Sequence, residues 1–415
     1  MRLWWNEVRG SEHTLPDKLE TASNPYYTPP RTDSSCATHP EVVTYLARRI
    51  DALLTRDRAL GLPAPAPDTG MPATFGDPSR SDSRVVDGGS PTLDVYLDAA
   101  PGGPSGDTNG STTCVHWNAP TGEAHVRTAA YITLSAVRTS TQQALDNVVH
   151  NAAHELVHVT QCAIRNSSGS VNGTTLASSL VEGSAEAFAV ASTGILVEGM
   201  LQTAVSRPGP VLASKNGSGG DPYSQFPFWY ELFGAPSAKR YVAFLRSAVA
   251  AAPAEHRQGD ANLVYRAFGE TAVQRALTAF ASFAVLGGDI GGAHHDPQVQ
   301  YIVPNPLAQL APPSGKSRSA RVRLQRGAYG YVVVTWPERA TALTVSASGV
   351  PAARAAESVA PGTREGGRVG QTAGVWHVYR ECDAAGRCSG DGNAYIAVAN
   401  GRHTRLVLTV TAGPP

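Results

Sequence analysis

The sequence predicts an α+β protein, helical over most of residues 40–290 and built of short strands after residue 318. Three observations carry this. Long segments such as Thr139–Asn166 repeat apolar residues at three- and four-residue spacing, the period of a helix with one buried face. A Pro-rich stretch, VPNPLAQLAPPSGKS, breaks the chain at 303–317. Beyond it come six short runs rich in Val, Thr and Tyr (RVRLQ, YGYVVVTW, ATALTVSAS, GVWHVYREC, AYIAVAN and RLVLTVTA), a spacing that suits a β-sandwich.

Taken in order, residues 1–38 read as a polar, Pro-rich arm. Val42, Val43, Leu46, Ile50, Leu53 and Leu54 predict a helix from Pro40 to about Leu60, and residues 66–91 read as a long loop. LDVYLDA, Leu93–Ala99, alternates like a strand. PGGPSGDTNGST follows as a turn-rich insertion. Asp107 and Asn109 offer oxygen ligands there, but their spacing fits no complete calcium loop, so they read as solvated. Strands are predicted at Ala124–Arg127 and Ala129–Ala136, and helices at Thr139–Asn166 and Leu176–Thr193. Ser140 and Thr141 suit the first of these helices as N-caps. Further helical patterns cover 223–234, 237–250, 259–268 and 270–286. The resulting division is 1–90, an arm and helix that is either a pro-segment or part of the unit after it; 91–310, the unit that carries the motif described below; and 318–415, the C-terminal β domain.

Composition narrows the function. With 34 basic and 34 acidic residues the chain has no net charge, which argues against nucleic acid as a partner and offers no polybasic route to a membrane. No segment reaches the length of a transmembrane helix. Five cysteines form no CxxC pair, so a cysteine zinc site is not expected. Cys382 and Cys388 flank the turn-like DAAGR and are predicted to form a disulfide; of Cys36, Cys114 and Cys162, one is left over. MRLWWNEVRG lacks the apolar core of a signal peptide, yet the cysteines and the Ser/Thr/Gly/Asn-rich loops favour a secreted protein whose start lies upstream.

The chemistry concentrates in His154-Glu155-Leu156-Val157-His158. Residues i and i+4 of a helix share a face, so both imidazoles can reach one Zn²⁺ ion, and Glu155 is placed to accept a proton from the water on that ion. Zinc in a catalytic site takes a third protein ligand and keeps one position open. Leu180-Val181-Glu182-Gly183-Ser184-Ala185-Glu186 supplies it: Glu182 as ligand, and Glu186, one turn on, as the group that hydrogen-bonds and orients His154. His150 lies one turn before His154 and reads as packed or as a rim of the cleft.

HELVH followed by EGSAE resembles the gluzincin metallopeptidases, which include thermolysin-like and collagenase-like secreted bacterial enzymes. Gln161 adds an HExxHxxQ likeness. The resemblance is specific over 148–189 and extends as a layout over 40–290. It implies a gluzincin-type catalytic domain, a small β-sheet plus active-site helix and then a helical subdomain. It also implies a tyrosine or histidine that stabilises the oxyanion: Tyr223 in DPYSQFPFWY is the first choice, Tyr230 the second, and His294 or His295 a further one. The expected function is zinc-dependent endopeptidase action on a protein or peptide substrate, with surface or polymer binding by the C-terminal domain. The competing reading is a non-catalytic zinc-binding adhesion or recognition protein on a peptidase scaffold. Its signature would be loss of Glu155 or of a ligand, and all four positions are intact.

Overall fold

The computed structural model describes residues 2–5, 41–65, 93–98, 110–118, 126–135, 142–167, 176, 178–196, 211, 222–234, 236–251, 261–295, 306–337, 340–363, 367–383, 388, 392–400 and 405–413. Among them are seven α-helices: α1 (Glu41–Leu60), α2 (Gln142–Ser167), α3 (Ser178–Thr193), α4 (Phe226–Phe233), α5 (Ala238–Val249), α6 (Ala261–Leu286) and α7 (Ala352–Ser358). With four sheets beside them, the composition is α+β. No described helix is long and apolar enough to cross a membrane. Two compact units divide the chain. The first comprises Met1–Thr174, Phe188–Ile195 and Ser237–Ala251; the second comprises Thr175–Ala187, Leu196–Pro236 and Ala252–Pro415.

The first unit holds a four-stranded sheet of β1 (Arg2–Trp5), β2 (Asp94–Asp98), β3 (Gly110–Asn118) and β4 (Val126–Ser135), in the order β1-β2-β4-β3. β1 and β2 run parallel, with Leu3 opposite Val95, and α1 lies between them in the chain, as a parallel connection requires. β2 is parallel to β4, whereas β3 is antiparallel to it, with Thr112 opposite Ile132. Val43, Leu46, Ile50 and Leu53 form the buried stripe of α1, and Leu145, Val148, Val149, Ala152, Leu156 and Val159 that of α2. They close over Val95, Leu97, Ile132 and Leu134 of the sheet in one apolar cluster. Each fully buried Leu, Ile or Val contributes about 1.5–3 kcal/mol, so α2 is held firmly over the sheet along its length. Ser237 caps α5, its hydroxyl accepting the Arg240 N–H at 3.4 Å.

In the second unit, aromatic side chains link helices: Trp229 stacks on Phe233, and Phe226 of α4 meets Phe283 of α6. A short hairpin, β5 (Gly288–Ile290) with β6 (Ala293–His295), follows α6. The remaining strands are β7 (Ala308–Leu310), β8 (Ser317–Arg323), β9 (Ala328–Thr335), β10 (Ala342–Ser348), β11 (Val359–Gly362), β12 (Val369–Thr372), β13 (Val375–Tyr379), β14 (Asn393–Asn400) and β15 (Arg405–Ala412). They form sheets of order β12-β13-β10-β15-β8 and β11-β14-β9-β7. Both sheets feed one apolar cluster, including Val332, Leu343, Val345, Trp376, Ile396 and Leu408. α6 lies against β14 and β9: Gln274 Nε2 donates to the Ala399 carbonyl at 3.1 Å, and Phe280 packs on Tyr329 with centroids 4.5 Å apart.

Several expectations need correction. Arg2–Trp5 is a strand rather than part of an irregular arm, and Gly110–Thr112, read as turn, begins β3. The two strands predicted over 124–136 are one, since Thr128 continues the register opposite His116. The helices predicted at 259–268 and 270–286 stand as predicted: Gly269, non-helical at φ 78° and ψ 159°, a conformation open to a residue without Cβ, separates two helices within Ala261–Leu286. The Pro-rich break at 303–317 contains β7. The rest of the arm, the loop 66–91, Cys36, Asp107 and Asn109 lie outside the described residues.

Candidate metal centre

α2 runs without a break through HELVH because the segment around it is rich in Ala, Leu and Val on the buried side, and neither Gly nor Pro interrupts it. That buries His154 and Glu155 and leaves His158 partly exposed. The two imidazoles aim at one point: His154 Nε2 and His158 Nε2 are 3.0 Å apart, with the rings edge to face. Two nitrogens bound tetrahedrally to one zinc ion at about 2.0–2.1 Å would stand roughly 3.3 Å apart. His154, His158 and Glu182 each offer one ligand atom, and these atoms all lie within 4.8 Å of one another. This group can hold a metal ion, and its imidazole and carboxylate donors suit Zn²⁺.

The outer nitrogen of His158 is also engaged. His158 Nδ1 is 2.8 Å from Gln161 Oε1, and Gln161 Nε2 donates to the Tyr241 hydroxyl at 2.8 Å. Because the Gln161 amide nitrogen is committed to Tyr241, its oxygen is the acceptor and His158 Nδ1 carries the proton. The lone pair of neutral His158 is thereby left on Nε2, the atom facing His154. Tyr241 is itself buried on α5 and packs on Phe188 at 4.9 Å.

Glu155 is met from β3, where the Thr112 hydroxyl donates to Glu155 Oε2 at 2.6 Å. On α3, Glu182 is partly exposed, while Glu186 is fully buried one turn later. Gly183 between them has a packing reason. A Cβ there would stand 2.6 Å from the Trp229 ring and 3.0 Å from the Pro222 carbonyl, and Trp229 is itself fully buried.

The aromatic candidates separate. Tyr223 opens a short 3-10 turn, Tyr223–Gln225, and is 37% exposed, enough for its hydroxyl to reach solvent or a ligand. Tyr230 sits on α4, partly buried. Burial raises its phenol pKa, Glu231 beside it adds to the rise, and a hydrogen bond with the Gly291 backbone opposes it. His294 is exposed and paired with Asp289 at 2.8 Å, whereas His295 is buried against Phe283. His150 is fully buried, with Nδ1 3.4 Å from the Thr193 hydroxyl, and is packed rather than at a rim.

Two disulfides are present. Cys382–Cys388 is the predicted one, and Cys114–Cys162 joins β3 to α2. Reading the sequence missed Thr112, Gly110 and Tyr241, because the chain brings them to α2 from β3 and α5 and no local motif marks them. Comparison with protein-family models, with curated proteins and with solved structures gives no match, so the site is interpreted through its own chemistry.

Proposed function

We propose that the chain is a secreted zinc-dependent endopeptidase with a gluzincin-type arrangement, in which His154, His158 and Glu182 hold the ion. The observation that carries this is the convergence of two imidazoles and one carboxylate within 4.8 Å, with a second carboxylate, Glu155, next to His154 in sequence. A zinc ion held there supplies Lewis acidity, polarising a peptide carbonyl and making a water molecule easier to deprotonate. Glu155 accepts the proton of the attacking water and returns it to the leaving amine. Gln161 and Tyr241 keep His158 in the tautomer that presents Nε2, and Glu186 does the same for His154. Tyr223, the more exposed of the two tyrosines, donates to the oxyanion. Two disulfides support an oxidising, extracellular setting. The single apolar cluster shared by the two C-terminal sheets supports a β-sandwich, suited to binding a surface or polymer.

The test compares wild type with Glu155→Gln for zinc content and for hydrolysis of casein and gelatin. Both proteins are expected to hold one zinc per chain, and the variant is expected to lose turnover by at least about 10²–10⁴-fold, the usual worth of a general base. Equal cleavage by both would sink the mechanism. A wild type that holds zinc but cuts nothing across a broad peptide library would favour the non-catalytic recognition protein instead.

A further inference from the structure

Three alternate residues of β3, Gly110, Thr112 and Cys114, all meet α2. Alternate residues of a strand share a face, so these contacts form one row. At its start, Gly110 lies so close to Glu155 that an added Cβ would stand 2.8 Å from Glu155 Cγ and 3.0 Å from Oε1. In the middle, Thr112 Oγ1 is 2.6 Å from Glu155 Oε2 and 3.0 Å from the Glu155 backbone carbonyl. At its end, Cys114 is bonded to Cys162, seven residues beyond Glu155 and so two turns along α2 on the same face. The strand is thus fastened to the helix at one point and closes over Glu155 at another.

We infer that Thr112 is a positioning residue for Glu155, holding the carboxylate in one rotamer, while Gly110 makes room for it and the Cys114–Cys162 bond fixes the strand. The kinetic part rests on the peptidase reading; the hydrogen bond does not. A glutamate side chain loses about 1.5–2 kcal/mol of rotamer entropy when held in one conformation, and a general base acts only within hydrogen-bond reach of its proton. Thr112 can hold it because Thr112 is itself stiff, β-branched and paired in the sheet opposite Ile132. A hydroxyl has one proton. Donated to Oε2, it leaves Oε1 to accept the proton of the attacking water.

The experiment compares Thr112→Val, nearly isosteric but without the donor, and Thr112→Ser, which keeps the hydroxyl, in the full chain. The first readout needs neither metal nor substrate. It is the ¹³C carboxyl resonance of Glu155 in zinc-free protein, identified by its loss in Glu155→Gln. It is expected to move in Thr112→Val and to return toward the wild-type position in Thr112→Ser. The second readout, on zinc-loaded protein with casein, is a fall in kcat of about 10–100-fold in Thr112→Val, the size typical of groups that orient a reacting residue. KM and zinc content should be unchanged, and Thr112→Ser should recover most of the turnover. An unmoved resonance, or an unchanged kcat in Thr112→Val, overturns the inference. A resonance that moves in Thr112→Val while the wild type cuts nothing supports the placement of Glu155 and overturns only the peptidase reading. If Thr112→Val does not fold, Thr112→Ala gives the same two readings.

Discussion

α2 and β14 are both buried along most of their length, yet they are filled differently. In β14, Ala394, Tyr395, Ile396, Ala397, Val398 and Ala399 are buried in sequence, the pattern of a strand covered on both faces. Polarity begins at Asn400, whose amide donates to the Leu324 carbonyl at 2.6 Å. In α2, His150, His154, Glu155, Thr160 and Gln161 are buried among Val, Leu and Ala. A buried polar group left unpaired costs about 1–3 kcal/mol. The strand avoids that cost by being apolar. α2 accepts polar groups and gives them partners on β3, α3 and α5, while the His154 and His158 imidazoles are turned toward each other. A core built only for stability would resemble β14, and the polarity of α2 is what the metal site proposed above leads one to expect.

The largest effect that sharpens this contrast is in the strand. Ile396→Ala should cost about 2–5 kcal/mol, the range for truncating a large buried aliphatic side chain, read as a fall in the urea midpoint at constant slope. A loss below about 1 kcal/mol would mean that β14 is not the packed element described.

Next is Asp57, a charge in the apolar stripe of α1, where the Ser192 hydroxyl donates to its carboxylate at 3.2 Å. Burial raises its pKa from 3.8 to about 6, while the Ser192 bond and Arg56 oppose the rise. The folded state therefore favours the protonated acid. The contribution of Asp57 to stability is greatest below about pH 4 and falls by up to about 3 kcal/mol as pH rises through 6. Asp57→Asn should raise the Tm at pH 8 and leave it nearly unchanged at pH 4; a rise of equal size at both would remove titration as the cause.

The smallest effect tests the polar network on α2. Gln161→Leu deprives His158 Nδ1–H of its acceptor and should weaken zinc binding by about 10–100-fold in competition with a chelator. Unchanged affinity would reduce the Gln161–Tyr241 bond to packing.

Helices were legible because a buried stripe such as Val43, Leu46, Ile50 and Leu53 is written at helical spacing, and six C-terminal strands, β8, β9, β10, β13, β14 and β15, were legible as short β-branched and aromatic runs. The His154–His158 pair was legible for the same reason: i, i+4 spacing is itself the geometry that brings the two imidazoles together. β3 was hidden because GSTTCVHWN follows a glycine-rich run and carries little apolar alternation, and it meets α2 through a glycine, a hydroxyl and a disulfide. The short elements β7, β11, β12 and α7 hold too few residues for a period to show. The Cys114–Cys162 pairing depends on how β3 lies against α2, which spacing alone does not encode.

That same bond also acts where no native contact exists. Cys114 and Cys162 are 48 residues apart in sequence, and the loop they close contains His154, Glu155 and His158. In the unfolded chain the crosslink removes conformations by roughly 4 kcal/mol of loop-closure entropy. The substitutions above act on the native state, whereas opening this loop enlarges its competitor. The segment bearing both histidines thus stays confined near its strand even when helix and sheet are lost.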